Sequence, residues 1–309
     1  MEEFEYSGVL AVAAPLDLFC AWSQLRLLVV HLAEPLKLGD LDKLLSSAPL
    51  LRWLHIVCPQ PPPPLQPQAT RAVPCAPLHT MKHLESFQTR GCAFDEAFFA
   101  TFSFPRLERL ALGSGAVRVS HFEQALERMS ACTYLRISDD ALVTLARPTT
   151  KPLALQQLFV SSKDCRGRDL RCLLRSSPHL VELDVDEPTS VTDSDLSMMP
   201  AQQLRNLRFA TLAVHPEAAV SARTIAPFIE LCPELRELRF PAASVGEETI
   251  DELSRLYRGR TRKTGFTLRD APDAADNLLW RFDRSGPRKP EKPAAESSDA
   301  GDEEGDDEA

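Results

Sequence analysis

Metal-binding side chains come closest together at Cys75, His79, His83 and Cys92. A zinc site wants four such ligands in one tight cluster. Here Cys75 falls in a proline-rich stretch and His83 on an expected strand, so no metal site is predicted. Asp139 and Asp140 are adjacent carboxylates that could share acid–base work, but they read better as a helix cap. No Gly-x-Gly-x-x-Gly, phosphate-binding lysine loop or Gly-x-Ser-x-Gly elbow occurs. Neither catalysis nor a cofactor is expected.

Side chains suited to binding a protein surface are spread along the chain instead. They are Trp53, His55, His83, Arg109, Tyr134, Arg136, Phe159, Glu182, Asp184 and Arg208. Trp, Tyr and Arg are the types that dominate interface hot spots. To act together, these residues need a scaffold that sets them side by side, and the chain carries a repeated one. The hexad Leu155-x-x-Leu158-x-Val160 recurs at Leu51-Leu54-Ile56, Leu107-Leu110-Leu112, Leu180-Leu183-Val185, Leu204-Leu207-Phe209 and Leu235-Leu238-Phe240. Looser copies begin at Leu25, Met81 and Cys132, giving starts 23 to 31 residues apart.

A period in the twenties with this hexad predicts an α/β leucine-rich-repeat solenoid. Each hexad is a short strand whose fourth and sixth positions enter the core, leaving the third and fifth outward. The predicted outward rows are then Leu27, Trp53, His83, Arg109, Tyr134, Gln157, Glu182, Asn206 and Glu237, beside Val29, His55, Glu85, Ala111, Arg136, Phe159, Asp184, Arg208 and Arg239. The parallel sheet is expected on the concave side and helices on the convex side. Helix starts are predicted after Asp40, Asp95, the Ser120–Glu123 capping box, Asp140, Ser194 and Ser221. Pro49, Pro105, Pro178 and Pro233 each stop a helix two residues before a hexad.

The predicted solenoid spans 25–284, preceded by a cap or remnant of a longer chain at 1–24. A proline-rich insertion occupies 59–77, including Pro61 to Pro64. Gly265–Leu268 is expected to form a closing strand and Asn277–Trp280 a capping helix. From Arg284 onward nine acidic residues face four basic ones, so residues 285–309 read as a disordered acidic tail. Residues 284–309 carry −5 of the net −9, leaving the remainder at −4, which gives no electrostatic footprint for nucleic acid. No run of about 18 apolar residues suggests a membrane span. Eight cysteines without a Cys-x-x-Cys pair fit reduced core thiols in an intracellular protein, in cytoplasm or nucleus.

Ser176-Ser-Pro-His-Leu-Val-Glu-Leu-Asp-Val185 and Leu231-Cys-Pro-Glu-Leu-Arg-Glu-Leu-Arg-Phe240 resemble the ribonuclease-inhibitor-like repeats of F-box proteins, especially divergent fungal ones. The resemblance covers about residues 25–270. It implies a solenoid that holds a substrate protein for a cullin-type ubiquitin ligase. A cullin adaptor would be a further partner if an F-box lies upstream, since no F-box is recognisable in these 309 residues. The ninth repeat position, usually Asn or Cys, holds residues such as Ala33, Pro59 and Gly115, so loop shape is expected to vary between repeats. The second reading is a regulatory scaffold resembling the acidic leucine-rich nuclear proteins, with the tail engaging basic partners.

A charged, proline-broken tail buries little apolar surface. Deleting residues 285–309 should therefore leave the melting temperature unchanged in a calorimetric scan. A large drop would show that the tail packs on the remainder of the chain.

Overall fold

The computed structural model describes residues 7–10, 23–32, 38–58, 79–91, 96–113, 118–119, 122–138, 142–161, 166–189, 194, 197–198, 204–214, 221–241, 247–258, 266–268 and 277–282. Pro59–Pro77, Asp95, Ser120, Asp139, Asp140 and the tail lie outside these residues, as does most of the predicted cap at 1–24.

The chain is α/β and is built on one long sheet. Its main strands are β1 (Ser7–Leu10), β2 (Leu27–Leu32), β3 (Trp53–Val57), β5 (Ser86–Arg90), β7 (Arg109–Leu112), β9 (Tyr134–Ser138), β11 (Gln157–Ser161), β12 (Glu182–Thr189), β13 (Phe209–Val214) and β14 (Glu237–Pro241). They lie side by side in chain order, and every neighbouring pair is parallel. Short strands β4 (His79–Thr80) and β6 (Phe102–Ser103) form one small parallel pair, and β8 (Arg118–Val119) and β10 (Leu142–Val143) another. Helices α1 (Leu38–Ser47), α2 (Glu96–Thr101), α3 (Phe122–Arg128), α4 (Gly167–Ser176), α5 (Ala222–Leu231) and α6 (Glu247–Arg258) stand between strands.

The parallel order follows from a single local arrangement that returns at each strand start. A buried residue is followed by two turn residues and then a buried Leu or Cys, as in Ala48-Pro-Leu-Leu51 and Cys232-Pro-Glu-Leu235. The fourth amide donates to the first carbonyl at 3.0 to 3.2 Å in six such turns. Proline suits the second place because its fixed φ matches that turn position. Leu51, Leu107, Leu180, Leu207 and Leu235 are all buried by this turn, and the strand begins two residues later.

Between turn and strand, one carbonyl accepts two amides from the next segment. Arg26 O takes Arg52 N and Trp53 N, and Arg52 O takes Glu85 N and Ser86 N. The pattern continues through the carbonyls of Glu85, Glu108, Thr133, Gln156, Val181 and Arg208, with distances of 2.8 to 3.2 Å. A carbonyl has two lone pairs, so this double acceptance satisfies both amides without a side chain. It also fixes register, because only one residue per segment can occupy the accepting place.

One face of the strands is apolar. Leu28, Val30, Leu54, Ile56, Leu110, Leu112, Leu135, Ile137, Leu158, Val160, Leu183 and Val185 are all buried, and they share one core cluster with Leu41 and Leu45 of α1, Phe122 and Leu126 of α3 and Leu170, Leu173 and Leu174 of α4. Burying each such side chain stabilises the fold by about 1.5–3 kcal/mol. Phe87, Phe98, Phe102 and Phe104 fill the space behind the short α2, with ring centroids 5.1 to 6.1 Å apart. Gly91, at φ +73°, and Gly113 lie at strand ends where a Cβ would run into the carbonyls of Cys58 and Thr89.

Several expectations are corrected. The Met81 and Leu204 hexads are displaced by three residues, because each opens the turn instead of following it. Ser86 pairs with Trp53 and Phe209 with Glu182, so the true copies begin at Leu84 and Leu207. No helix follows Asp140 among the described residues; residues 142–150 run through β10 into an irregular strap. Helix side chains on both flanks hold it. The buried carboxylates Glu123 and Asp169 accept Ala146 N at 3.2 Å and Leu145 N at 2.9 Å, while Ser176 Oγ accepts Thr149 N. Glu123 thus reaches the strap through Oε2, while its capping box with Ser120 falls outside the described residues. Asn277–Trp280 is not a helix either. It belongs to β16 (Asn277–Phe282), which pairs antiparallel with β14 and with β15 (Phe266–Leu268). Asp40 lies inside α1, and Ser221 is the N-cap of α5, though its hydroxyl meets Thr224 Oγ1 at 3.2 Å instead of capping a backbone amide.

Two substitutions test the packing. Leu158 is fully buried, and an unpaired carboxylate there costs several kcal/mol. Leu158→Asp should therefore abolish cooperative unfolding, while Arg136→Asp on the opposite face should leave it intact. Thr89 occupies an inward position with its Oγ1 buried and unpartnered. Thr89→Val should raise unfolding free energy by about 1 kcal/mol in urea titrations; a destabilised variant would mean that the hydroxyl has a partner.

Candidate protein-binding face

The third and fifth positions of each strand form the sheet face opposite the core. Strand register sets the first row as Leu27, Trp53, Ser86, Arg109, Tyr134, Gln157, Glu182, Phe209 and Glu237. The second runs Val29, His55, Gln88, Ala111, Arg136, Phe159, Asp184, Thr211 and Arg239. Parallel neighbours lie about 4.8 Å apart, so each row is a line of closely spaced side chains.

Eight of the ten candidate residues stand in these rows. Trp53, Arg109 and Arg136 are exposed, and His55, Tyr134, Phe159, Glu182 and Asp184 are half-buried. His83 and Arg208 do not join them. His83 is a turn residue, half-buried before Leu84, and Arg208 lies in the edge row whose carbonyls form the double-acceptor ladder. The register correction brings in Phe209 instead, a large aromatic 39% exposed where the sequence reading had turned it inward. The missing signal was the turn: Leu204-Arg-Asn-Leu207 matches Cys232-Pro-Glu-Leu235, and aligning turns would have set the register.

At the β2–β3 end, Trp53 is 37% exposed and the Arg52 guanidinium sits 5.5 Å from its ring centroid. Arg52 also donates through Nε to Glu85 at 2.9 Å, so the two edge residues form an ion pair alongside the tryptophan. His55 lies beside Val29 and Gln88, and His31 stands one position on, beside Val57. Burial holds the His55 imidazole below its ordinary pKa, and the nearby His31 lowers it further.

In the middle, the Tyr134 and Phe159 rings pack at 5.2 Å between centroids, tilted by 34°. Aromatic pairs at this distance favour each other by about 0.5–1.5 kcal/mol beyond buried area. Beyond Phe159, Gln157 Nε2 donates to Glu182 Oε2 at 2.8 Å. Asp184 is flanked by Phe159 and Thr211. Arg239 and Glu237 pair at 3.2 Å on β14.

Nothing else among the described residues gathers into reactive geometry. No group of three or more His, Cys, Asp or Glu is placed to hold a metal, and Cys75 and Cys92 lie outside those residues. Cys58, Cys132, Cys172 and Cys232 are buried. Burial pushes Cys132 up to about 12, so it is an inert core thiol at neutral pH. No helix among the described residues is long and apolar enough to cross a membrane. The chain matches no protein-family model, and no curated protein matches it.

The His55 environment sets a pH dependence. Its folded pKa lies below the unfolded value of about 6.5, so its contribution is complete above that pH. It is lost as pH falls from there toward the folded pKa, because the unfolded chain binds the proton first. Urea unfolding of His55→Gln should show a shallower stability loss below about pH 6.5 than the parent. An identical profile would remove His55 as a source.

Proposed function

We propose that this chain is a leucine-rich-repeat solenoid of the ribonuclease-inhibitor-like kind, and that its open sheet face binds protein. The carrying observation is the contrast between the two sides of the strands. Inward positions are Leu, Val, Ile, Ala or Phe almost throughout, with Thr89 the polar exception. Outward positions hold Trp53, Tyr134, Phe159 and Phe209 beside Arg109 and Arg136, none of which the core requires. Exposed aromatics with two χ angles lose little entropy when a partner covers them. The repeating turn and the double-acceptor carbonyls support the solenoid reading, since both return at the interval of the hexads.

The likeness to F-box repeats gives the bound partner a role. In that reading it is a substrate protein recognised inside the cell, in cytoplasm or nucleus, for a cullin-type ubiquitin ligase. The chain acts by binding, without cofactor, metal or catalysis of its own, and neither a membrane nor nucleic acid is a partner.

The test is to recover partners with the parent chain by affinity capture, identify one, and titrate it against Tyr134→Ala/Phe159→Ala. The double variant should still unfold cooperatively, with a melting temperature lowered only by the loss of the ring pair, and lose about 2 kcal/mol of binding, roughly 30-fold in Kd. Unchanged affinity in a folded variant would move the binding surface away from this face. A cullin adaptor among the captured proteins would support the ligase assignment, whereas histones or other basic proteins captured through residues 285–309 would favour the scaffold reading.

A further inference from the structure

The outward rows are ordered by charge. On β5, β7 and β9 the third and fifth positions are Ser86, Gln88, Arg109, Ala111, Tyr134 and Arg136, which include two arginines and no carboxylate. Arg109 and Arg136 are exposed, and neither is ion-paired to a described residue. They stand diagonally across β7 and β9, with Ala111 and Tyr134 at the other two corners, since Arg109 pairs with Tyr134 and Ala111 with Arg136. Three strands from β7, Glu182 and Asp184 occupy the same two rows on β12. The Tyr134–Phe159 ring pair spans β9 and β11, between the cationic and the anionic zones.

We infer that this face takes an extended peptide running across the strands, with an Asp or Glu over Arg109 and Arg136, an apolar residue on Tyr134 and Phe159, and a Lys or Arg over Glu182 and Asp184. The inference rests on the proposed protein-binding function and specifies the partner. The spacing supports it. From midway between β7 and β9 to β12 is two and a half strand spacings, about 12 Å. An extended peptide covers that in about four residues at roughly 3.3 Å each. The partner motif is therefore acidic–x–apolar–x–basic, in either chain direction, because the strand amides are engaged in the sheet and do not fix polarity. Two exposed guanidiniums on adjacent strands suit a carboxylate, which arginine binds with paired hydrogen bonds. The complementary charges select against peptides of a single sign.

Three synthetic nonapeptides test this, each with a central leucine. One carries Asp and Lys two residues to either side, one carries Asp on both sides, and one Lys on both. Fluorescence polarisation with the full chain at low salt should rank the mixed peptide about tenfold tighter than either other, and the difference should shrink as salt rises. In Arg109→Glu/Arg136→Glu the preference should move to the doubly basic peptide, with melting temperature unchanged because both side chains are exposed. Equal affinity for all three peptides, no binding up to about 1 mM, or a charge-swapped variant with the parent's preference would each overturn the inference. If binding is charge-blind yet falls in Tyr134→Ala/Phe159→Ala, the protein-binding reading stands and this one fails. Phosphoserine in place of Asp should improve binding by less than about tenfold; a larger gain overturns the carboxylate assignment.

Discussion

The whole sheet depends on one carbonyl in each segment accepting two amides from the next. From Arg26 to Arg208, eight such carbonyls receive pairs of amides at 2.8 to 3.2 Å. The accepting residue is always the one between the turn's final Leu or Cys and the first strand residue, apart from β11, where Leu155 arrives without the standard turn. Because the interaction is made by backbone alone, the side chain at that place is free to vary: Arg, Glu, Thr, Gln and Val all occupy it. A shift of one residue in any strand would break the double acceptance and turn an inward Leu outward at the same time. Register and burial are therefore specified together.

The helical layer is less uniform than the sheet, and its gaps are closed by polar groups. Between α3 and α4, where the repeat pattern would put another helix, the chain runs without a helix from Leu142 to Leu155. An irregular segment exposes amides that a helix would satisfy internally. Glu123 and Asp169 answer two of them from buried positions, Ser176 Oγ a third, and Glu127 accepts Thr150 N. Buried carboxylates are tolerated because each receives hydrogen bonds where water cannot reach. Removing either would leave a strap amide without a partner, so this stretch is specified by its neighbours' side chains more than by its own sequence.

With the core on one side satisfied, the other side of the sheet is free for function. The scaffold converts residues 22 to 33 positions apart in the chain into neighbours about one strand spacing apart. Tyr134 and Phe159 are 25 residues apart in sequence and in ring contact in space. The same conversion places the paired arginines of β7 and β9 within reach of one peptide that also meets the acidic pair on β12. Charge order across strands is invisible along the chain and appears only when the rows are assembled.

The sequence alone determined the α/β class, the order of most strands and the inward leucines, because a hexad with period-two burial admits one pairing of inside and outside. It also put eight of the ten candidate residues on the outward face. Tertiary structure decided the remainder. At Met81-Lys-His-Leu84 and Leu204-Arg-Asn-Leu207, two apolar residues three apart fit both the hexad and the turn. Only the hydrogen bonds of Glu85 and Ser86 to Arg52, and of Arg208 and Phe209 to Val181, separate the two registers. Those bonds move His83 and Arg208 off the face and bring Phe209 onto it. The missing helix after Asp140 and the antiparallel β16 were likewise beyond local reading. Helix or strand there depends on which amides neighbouring segments can satisfy, and that is a property of the assembled fold.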